Sequence, residues 1–227
     1  MIAIAIDGPA GAGKSSIARG VARELGYIYV DTGALYRTVG LAVSRSRIDL
    51  EDRSELEALL KNTDIRLVFQ GGEQRVLLNG VDVSDEIRTP EASLMASRVS
   101  ARPTVRAFLL SLQRELAETN NVLMDGRDIG TVVLPNAQIK YFLTASIDCR
   151  AQRRYRELTE KGQDVRLEDV RADIEKRDYD DSHRAIAPLK AAADAEIIDN
   201  TGMQLEQSVA ALTARIRDRL EEIAQKG

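Results

Sequence analysis

The chain of 227 residues fits one domain, or one domain with a modest insertion, and its 44% hydrophobic content is enough to bury a sizeable core. A net charge of -4 argues against a general binder of nucleic-acid polymers or anionic membranes, and no apolar run approaches the roughly 18 residues of a membrane span. The opening "IAIAI" is too short and lacks the basic flank of a secretion signal, so a cytoplasmic address is expected, and the single cysteine, Cys149, allows neither an internal disulfide nor a cysteine-built metal site.

In chain order, residues 2–6 read as an apolar strand, followed at once by "GPAGAGKSS": Gly8, Pro9, Ala10, Gly11, Ala12, Gly13, Lys14, Ser15 and Ser16. This satisfies G-x-x-x-x-G-K-[ST] in full, with the strand before it and the helical pattern after it that the motif requires. Glycines let backbone N–H groups turn inward onto phosphate oxygens, and the helix N-terminus adds a favourable dipole. Lys14 is expected to reach the transferred phosphate and the Ser15 hydroxyl to ligate Mg²⁺. A nucleoside triphosphate site is the working conclusion.

Residues 27–30 form a second apolar run, ending at Asp31 and "DTGALYR". Between residues 64 and 83 the pattern changes. Ile65, Leu67 and Phe69, then Val76 and Leu78, alternate about Gly71-Gly72, which predicts an antiparallel hairpin flanked by helices near 54–61 and 104–118. Apolar runs return at 122–124, before "DGRDIG", at 139–143, and at 196–198, before Asp199. Five such strands separated by helices predict an α/β fold with a parallel sheet covered on both faces and ligands at the carboxyl ends, where Asp7, Asp31, Asp125 and Asp199 fall.

Arginines outnumber lysines 25 to 7, and the guanidinium fork suits bidentate phosphate contacts. Arg37 and Arg127 both follow strand ends and are placed to converge on one anion, with Asp31 or Asp125 near the metal. From 150 to 177 the chain is almost wholly charged helix, broken at Gly162. Arg150, Arg153, Arg154 and Arg156 stand at one end and Arg177 and Arg184 at the other, which predicts a mobile lid carrying positive charge. The lone His183 reads as solvated or structural rather than as a base. A phosphate-monoester acceptor needs none, since its second pKa of about 6 leaves the attacking oxygen ionised. No guanine-reading N-K-x-D is present, and the chain has little beyond one compact domain with which to act as a switch ATPase.

Taken together, "IDGPAGAGKS", "DTGALYR", the hairpin, "SDEIRTPE", "ASRVSARPTVR", "DGRDIGTVV", "KRDYDDSHRAIAPLKAAADA" and "IIDNT" resemble the cytidylate kinase family of the nucleoside monophosphate kinases, over nearly the whole chain. The one departure is Thr32, where many members carry serine; the hydroxyl is kept. The resemblance implies transfer of the ATP γ-phosphate to CMP or dCMP, with Mg²⁺, by a monomer. It implies a core of 1–31, 119–149 and 185–227, an acceptor-binding insert of 32–118 and a helical lid of 150–184.

It also implies residue roles. Ser97, Arg106 and Asp128 would contact cytosine and Asp181 the ribose, with Tyr36 packed near the base and Thr32 beside the substrate. Arg37, Arg127 and Arg184 would hold the acceptor phosphate. Lid residues Arg150, Arg154 and Arg177 would approach the ATP phosphates, and Asn200, Thr201 and Gly202 would border adenine. Cytosine presents an N4 donor beside N3 and O2 acceptors, which one carboxylate and one guanidinium complement; uracil inverts the first two groups. The competing expectations are a P-loop kinase for UMP, another nucleotide or a metabolite such as shikimate, and a switch ATPase.

Overall fold

In the computed structural model, which describes residues 1–70 and 73–225, the expected alternation of strand and helix holds. The elements are β1 (Ala3–Asp7), α1 (Lys14–Leu25), β2 (Ile28–Asp31), α2 (Thr32–Ser46), α3 (Arg53–Lys61), β3 (Ile65–Gln70), β4 (Glu73–Leu78), β5 (Val81–Asp82), α4 (Pro90–Ser100), α5 (Pro103–Thr119), β6 (Val122–Gly126), β7 (Ile139–Thr144), α6 (Ile147–Glu160), α7 (Leu167–His183), β8 (Glu196–Asp199) and α8 (Leu205–Ala224). A single π-helical turn, Ile129–Val133, follows β6.

The five apolar runs form one sheet in the order β2-β6-β1-β7-β8, every neighbouring pair parallel. Residues therefore alternate between two covered faces. Ile4 and Ile6 of β1 pack with Leu123, Tyr141 and Leu143 against Ile17 and Val21 of α1 and Leu212 and Ile216 of α8. Ala5, Val30, Val122 and Met124 face Ile129 and Val133 and the apolar side of α5. Each fully buried branched side chain contributes roughly 1.5–3 kcal/mol, so this double layer is the main source of stability. The exception is β8, an edge strand whose Ile197 stays 65% exposed. With all strands parallel, their carboxyl ends open on one side, where β1 enters the glycine-rich loop.

The insert has its own core: Leu35, Val39 and Val43 of α2 pack on Leu56 and Leu60 of α3, Ile65, Val76 and Leu78 of the small sheet, and Val105 and Leu109 of α5. Its hairpin pairs Ile65 with Leu78 and Leu67 with Val76, as the alternation requires. Phe69 lies on that inner register opposite Gln74, yet is 39% exposed because it overhangs the end of the core. The expected Gly71-Gly72 turn lies outside the described residues.

The sheet has a third strand that alternation alone did not reveal. Asn79 (φ 50°) and Gly80 (φ 82°) make a two-residue turn that pairs β5 back onto β4, and Asn-Gly is the usual sequence of a turn with both central φ values positive. Farther along the chain, α6 and α7 pack through a small cluster of Ala151, Leu158, Val170 and Ile174. Among the described residues no helix is long and apolar enough to cross a membrane.

Candidate active site

The glycine-rich loop joins β1 to α1, with Gly13 as N-cap and Lys14 as the first helical residue. The Lys14 ammonium is buried and donates to the Pro9 carbonyl at 2.8 Å. Burial, and then Arg127 and Arg177, push its pKa well down, while Asp125 and Asp7 oppose them. A cation held so unfavourably gains from any anion that arrives beside it.

Residues of α6, of α7 and of the segment after β8 grip the loop from outside. The Ala10 N–H donates to Asp178 of α7 at 3.2 Å, and the Ala10 carbonyl accepts from Arg150 of α6 at 2.9 Å; Arg150 and Asp178 also pair with each other. Asn200 donates to the Ala12 carbonyl at 3.0 Å and accepts from Arg153 at 3.1 Å. Thr201 accepts from the Ser146 N–H at 2.8 Å. Arg150, expected at the ATP phosphates, and Asn200 and Thr201, expected beside adenine, thus all bond to protein groups around the loop.

Behind the loop, the Ser15 hydroxyl donates to one oxygen of Asp125 at 2.8 Å and the Tyr29 hydroxyl to the other at 2.9 Å. Among the described residues no group of three or more His, Cys, Asp or Glu forms a metal cluster. A hydroxyl and one carboxylate nevertheless suit Mg²⁺, a hard cation that keeps several waters and takes its remaining ligands from phosphate.

Asp125 and Asp7 are both pushed up to about 6, burial being the largest cause for each, while backbone N–H groups pull Asp7 back. The folded state holds these protons more tightly than the unfolded chain, whose carboxyls titrate near 3.8. The stabilisation they give is complete below the unfolded value and is lost as pH rises through about 6. Carboxylates held low, such as Asp181 beside Arg127, act in the opposite sense and below this window. Urea unfolding of the ligand-free protein between about pH 4 and pH 7 should therefore show a decline that Asp125→Asn flattens. An unaltered slope would remove Asp125 from that role.

Facing the loop is a chain of arginines and carboxylates from separate elements. Arg37 of α2 pairs with Asp31 at 2.8 Å, and Asp31 also caps α2 through the Ala34 N–H at 3.0 Å. Arg127, just after β6, donates to Asp181 of α7 at 2.8 Å. Arg184 lies 3.8 Å from Asp181 and 3.4 Å from Asp128, and Arg106 in the first turn of α5 closes the series by pairing with Asp128. The Arg106 guanidinium stands 5.6 Å from the centre of the Tyr36 ring. Burial raises the Asp128 carboxyl against the pull of Arg106 and Arg184, and pushes the Tyr36 hydroxyl up to about 12.

Arg177 is the least satisfied member. Burial, and then Arg127, with Arg37 and Arg154 adding to them, depress it to about 10, and its Nε, like that of Arg37, is buried without a hydrogen-bond partner. Buried donors without acceptors are costly, and Arg177, together with Arg127, puts beside Lys14 positive charge that a phosphate would satisfy. Arg154 stands at the margin, half-exposed and paired with Glu157 at 2.8 Å. Thr32 donates to the Asp125 carbonyl at 2.7 Å, so its hydroxyl ties α2 to β6. Ser97 lies on α4, and its hydroxyl is not part of the arginine network. Three residues that carry this site were not singled out as such in the sequence: Tyr29, Asp178 and, in the supporting role described here, Arg153.

A phosphate-binding loop faced by arginines from the insert, the core and the lid, on a five-stranded parallel sheet, defines a P-loop phosphotransferase of the nucleoside monophosphate kinase class. Residues 4–218 match the family model described as Cytidylate kinase. The chain belongs to the cytidylate kinase family. The cytidylate kinase of Syntrophotalea carbinolica is 52% identical over 204 residues, covering 90% of this chain and 87% of that protein. That of Leuconostoc mesenteroides is 48% identical over 217 residues, covering 96% and 97%. A crystal structure of an uncharacterized protein from Eubacterium ventriosum superposes with a TM-score of 0.53 at 13% identity over 96% of this chain and 99% of that one, a likeness of fold alone.

Proposed function

We propose that this chain transfers the γ-phosphate of ATP to CMP or dCMP, giving ADP and CDP or dCDP. The observation that carries the reading is the unbroken series Arg106, Asp128, Arg184, Asp181, Arg127, which runs from the Tyr36 ring to the loop lysine. Asp128 and Arg106 offer the acceptor and donor that complement the cytosine edge, with Tyr36 beside it. Arg127, Arg184 and Arg37 would take the acceptor phosphate, exchanging part of their contact with Asp181, Asp128 and Asp31 for the ligand. Ser97 would reach the base and Asp181 the ribose.

An oxygen of the acceptor phosphate attacks the γ-phosphorus, a P–O bond forms, and the bond to the β-phosphate oxygen breaks with its electron pair leaving on ADP. No proton is removed, because the attacking oxygen is already ionised near neutral pH. The task of the protein is therefore positional and electrostatic. Lys14, Arg127, Arg177 and Arg154 would surround the transferred group, and the loop amides from Gly8 to Ser16 would hold the donor phosphates. Mg²⁺, held by Ser15 and Asp125, would neutralise charge on phosphate oxygens.

Residues 32–118 would act as the acceptor-binding insert and 150–184 as the lid, around a core of 1–31, 119–149 and 185–227. Separate apolar clusters within the insert and the lid favour this division.

The test is the acceptor panel with Asp128→Asn. Wild type should favour CMP and dCMP over UMP, AMP and GMP, with little ADP formed when no acceptor is present. An amide can rotate to donate as well as accept, so it faces uracil O4 as readily as cytosine N4. The variant should lose about 10- to 200-fold in kcat/KM for CMP, corresponding to ~1.4–3 kcal/mol for a charge-assisted hydrogen bond, while UMP falls much less or improves. Equal wild-type rates on every acceptor, or an unchanged CMP/UMP ratio in the variant, would overturn the reading.

A further inference from the structure

Asp7 ends β1 and is buried, and both of its carboxylate oxygens are spent on backbone: Oδ1 accepts from the Ile129 N–H and Oδ2 from the Gly130 N–H, each at 2.8 Å. These are the first two amides of the π-helical turn 129–133, whose Val132 and Val133 N–H groups return to the Asp128 carbonyl at 2.9 and 3.2 Å. The leading amides of a helical turn have no partner within it, and the residue in front ordinarily folds its side chain back to accept the second or third of them, here the Gly130 or Thr131 N–H. Aspartate is well suited to that duty, and Asp128 holds the position. It nevertheless makes no such bond; its oxygens go to Arg106 and Arg184 instead.

We infer that Asp7 is a positioning residue for acceptor recognition. By capping, from the neighbouring strand, the turn that Asp128 would otherwise cap, it leaves the Asp128 carboxylate free to face the base, and so sets the discrimination between cytosine and uracil. Asp7 acts in this way only if Asp128 reads the base as proposed above. Gly130 stands against the same carboxylate: a Cβ there would lie 3.4 Å from Asp7 Oδ2, an ordinary contact distance. In Asp7→Asn only the amide oxygen can accept, its NH₂ opposes a backbone N–H, and one leading amide is again without a partner that Asp128 could supply.

The experiment measures kcat/KM for CMP and UMP, and KM for ATP, in wild type, Asp7→Asn, Asp128→Asn and the double variant. Asp7→Asn should lower the CMP/UMP ratio at least about tenfold and leave KM for ATP within about twofold, and the double variant should show the ratio of Asp128→Asn alone. Equal losses for CMP and UMP in Asp7→Asn, or a further fall of the ratio in the double variant, would overturn the inference. A ratio unmoved by Asp128→Asn refutes base reading by Asp128 itself; a ratio that collapses there but not in Asp7→Asn refutes only the role of Asp7. Should Asp7→Asn fail to fold, Asp7→Glu keeps the charge but moves both acceptor oxygens off the Ile129 and Gly130 amides. A folded Asp7→Glu protein with a lowered ratio supports the inference, and one with an unchanged ratio overturns it.

Discussion

Lys14→Ala should lower kcat by at least about 100-fold while the protein remains folded. The lysine meets charge that develops on the transferred phosphate, and loss of one preorganised donor of this kind typically removes 10²–10³ in rate. Its structural share is small. The ammonium makes a bond to the Pro9 carbonyl, worth ~0.5–1.5 kcal/mol net, and its burial as a cation is itself unfavourable. In a chain of this length that bond corresponds to a shift in Tm of only about 1–6 °C. Steady-state kinetics beside thermal unfolding separate the two effects; retention of more than a few per cent of wild-type kcat, or loss of the folded state, would remove Lys14 from the catalytic role.

The second large effect concerns Gly8, where the loop leaves β1. Its φ is 152°, and a Cβ built there would lie 2.0 Å from the Leu143 carbonyl oxygen and 3.0 Å from its carbon. Those are backbone atoms of β7 within the central sheet, so no side-chain rotation relieves the clash; β1 and β7 must part. Gly8→Ala should cost on the order of 4 kcal/mol or more, lowering Tm by about 10 °C or leaving the protein insoluble. Gly202→Ala is the control: its φ is also positive, 76°, but nothing lies within 4 Å of the added methyl group, so only the backbone penalty of roughly 1–2 kcal/mol applies. Similar unfolding midpoints for the two variants would count against the steric account.

The strands of the main sheet were legible because each is a short apolar run, and all but the exposed edge strand β8 are buried on two faces, a pattern that needs no knowledge of neighbours. The phosphate loop was legible for a related reason, since its glycines, lysine and serine are contiguous. β5 escaped notice because two residues give no alternation to read, although Asn79-Gly80 announces the turn before it. The π-helical turn was beyond local reading altogether: residues 129–133 are apolar enough for a strand, and the acceptors that bend them belong to Asp7, 122 positions or more away. The lid arginines make the same point. Arg150, Arg153 and Arg154 share one face of α6 by spacing. Arg150 goes to Ala10 and Arg153 to Asn200, while Arg154 stays half-exposed beside Glu157. Those outcomes depend on how far each residue stands from the loop, which is a property of the assembled fold.

The hold of α6 and α7 on the Ala10 peptide has a mechanical result. Its N–H and its carbonyl are bound by Asp178 and Arg150, which also bind each other across α7 and α6. Swinging α7 away therefore cannot proceed by loosening one contact at a time: departure of Asp178 strands the Ala10 amide and leaves Arg150, nearly enclosed, without its counterion. If residues 150–184 open as proposed above, each half-open arrangement leaves one of these groups unpaired, which would favour two positions over a continuous range. On that proposal the Ala10 peptide is braced only while Asp178 and Arg150 both hold it, which would tie the entry of one nucleotide and the escape of its product to the same three groups.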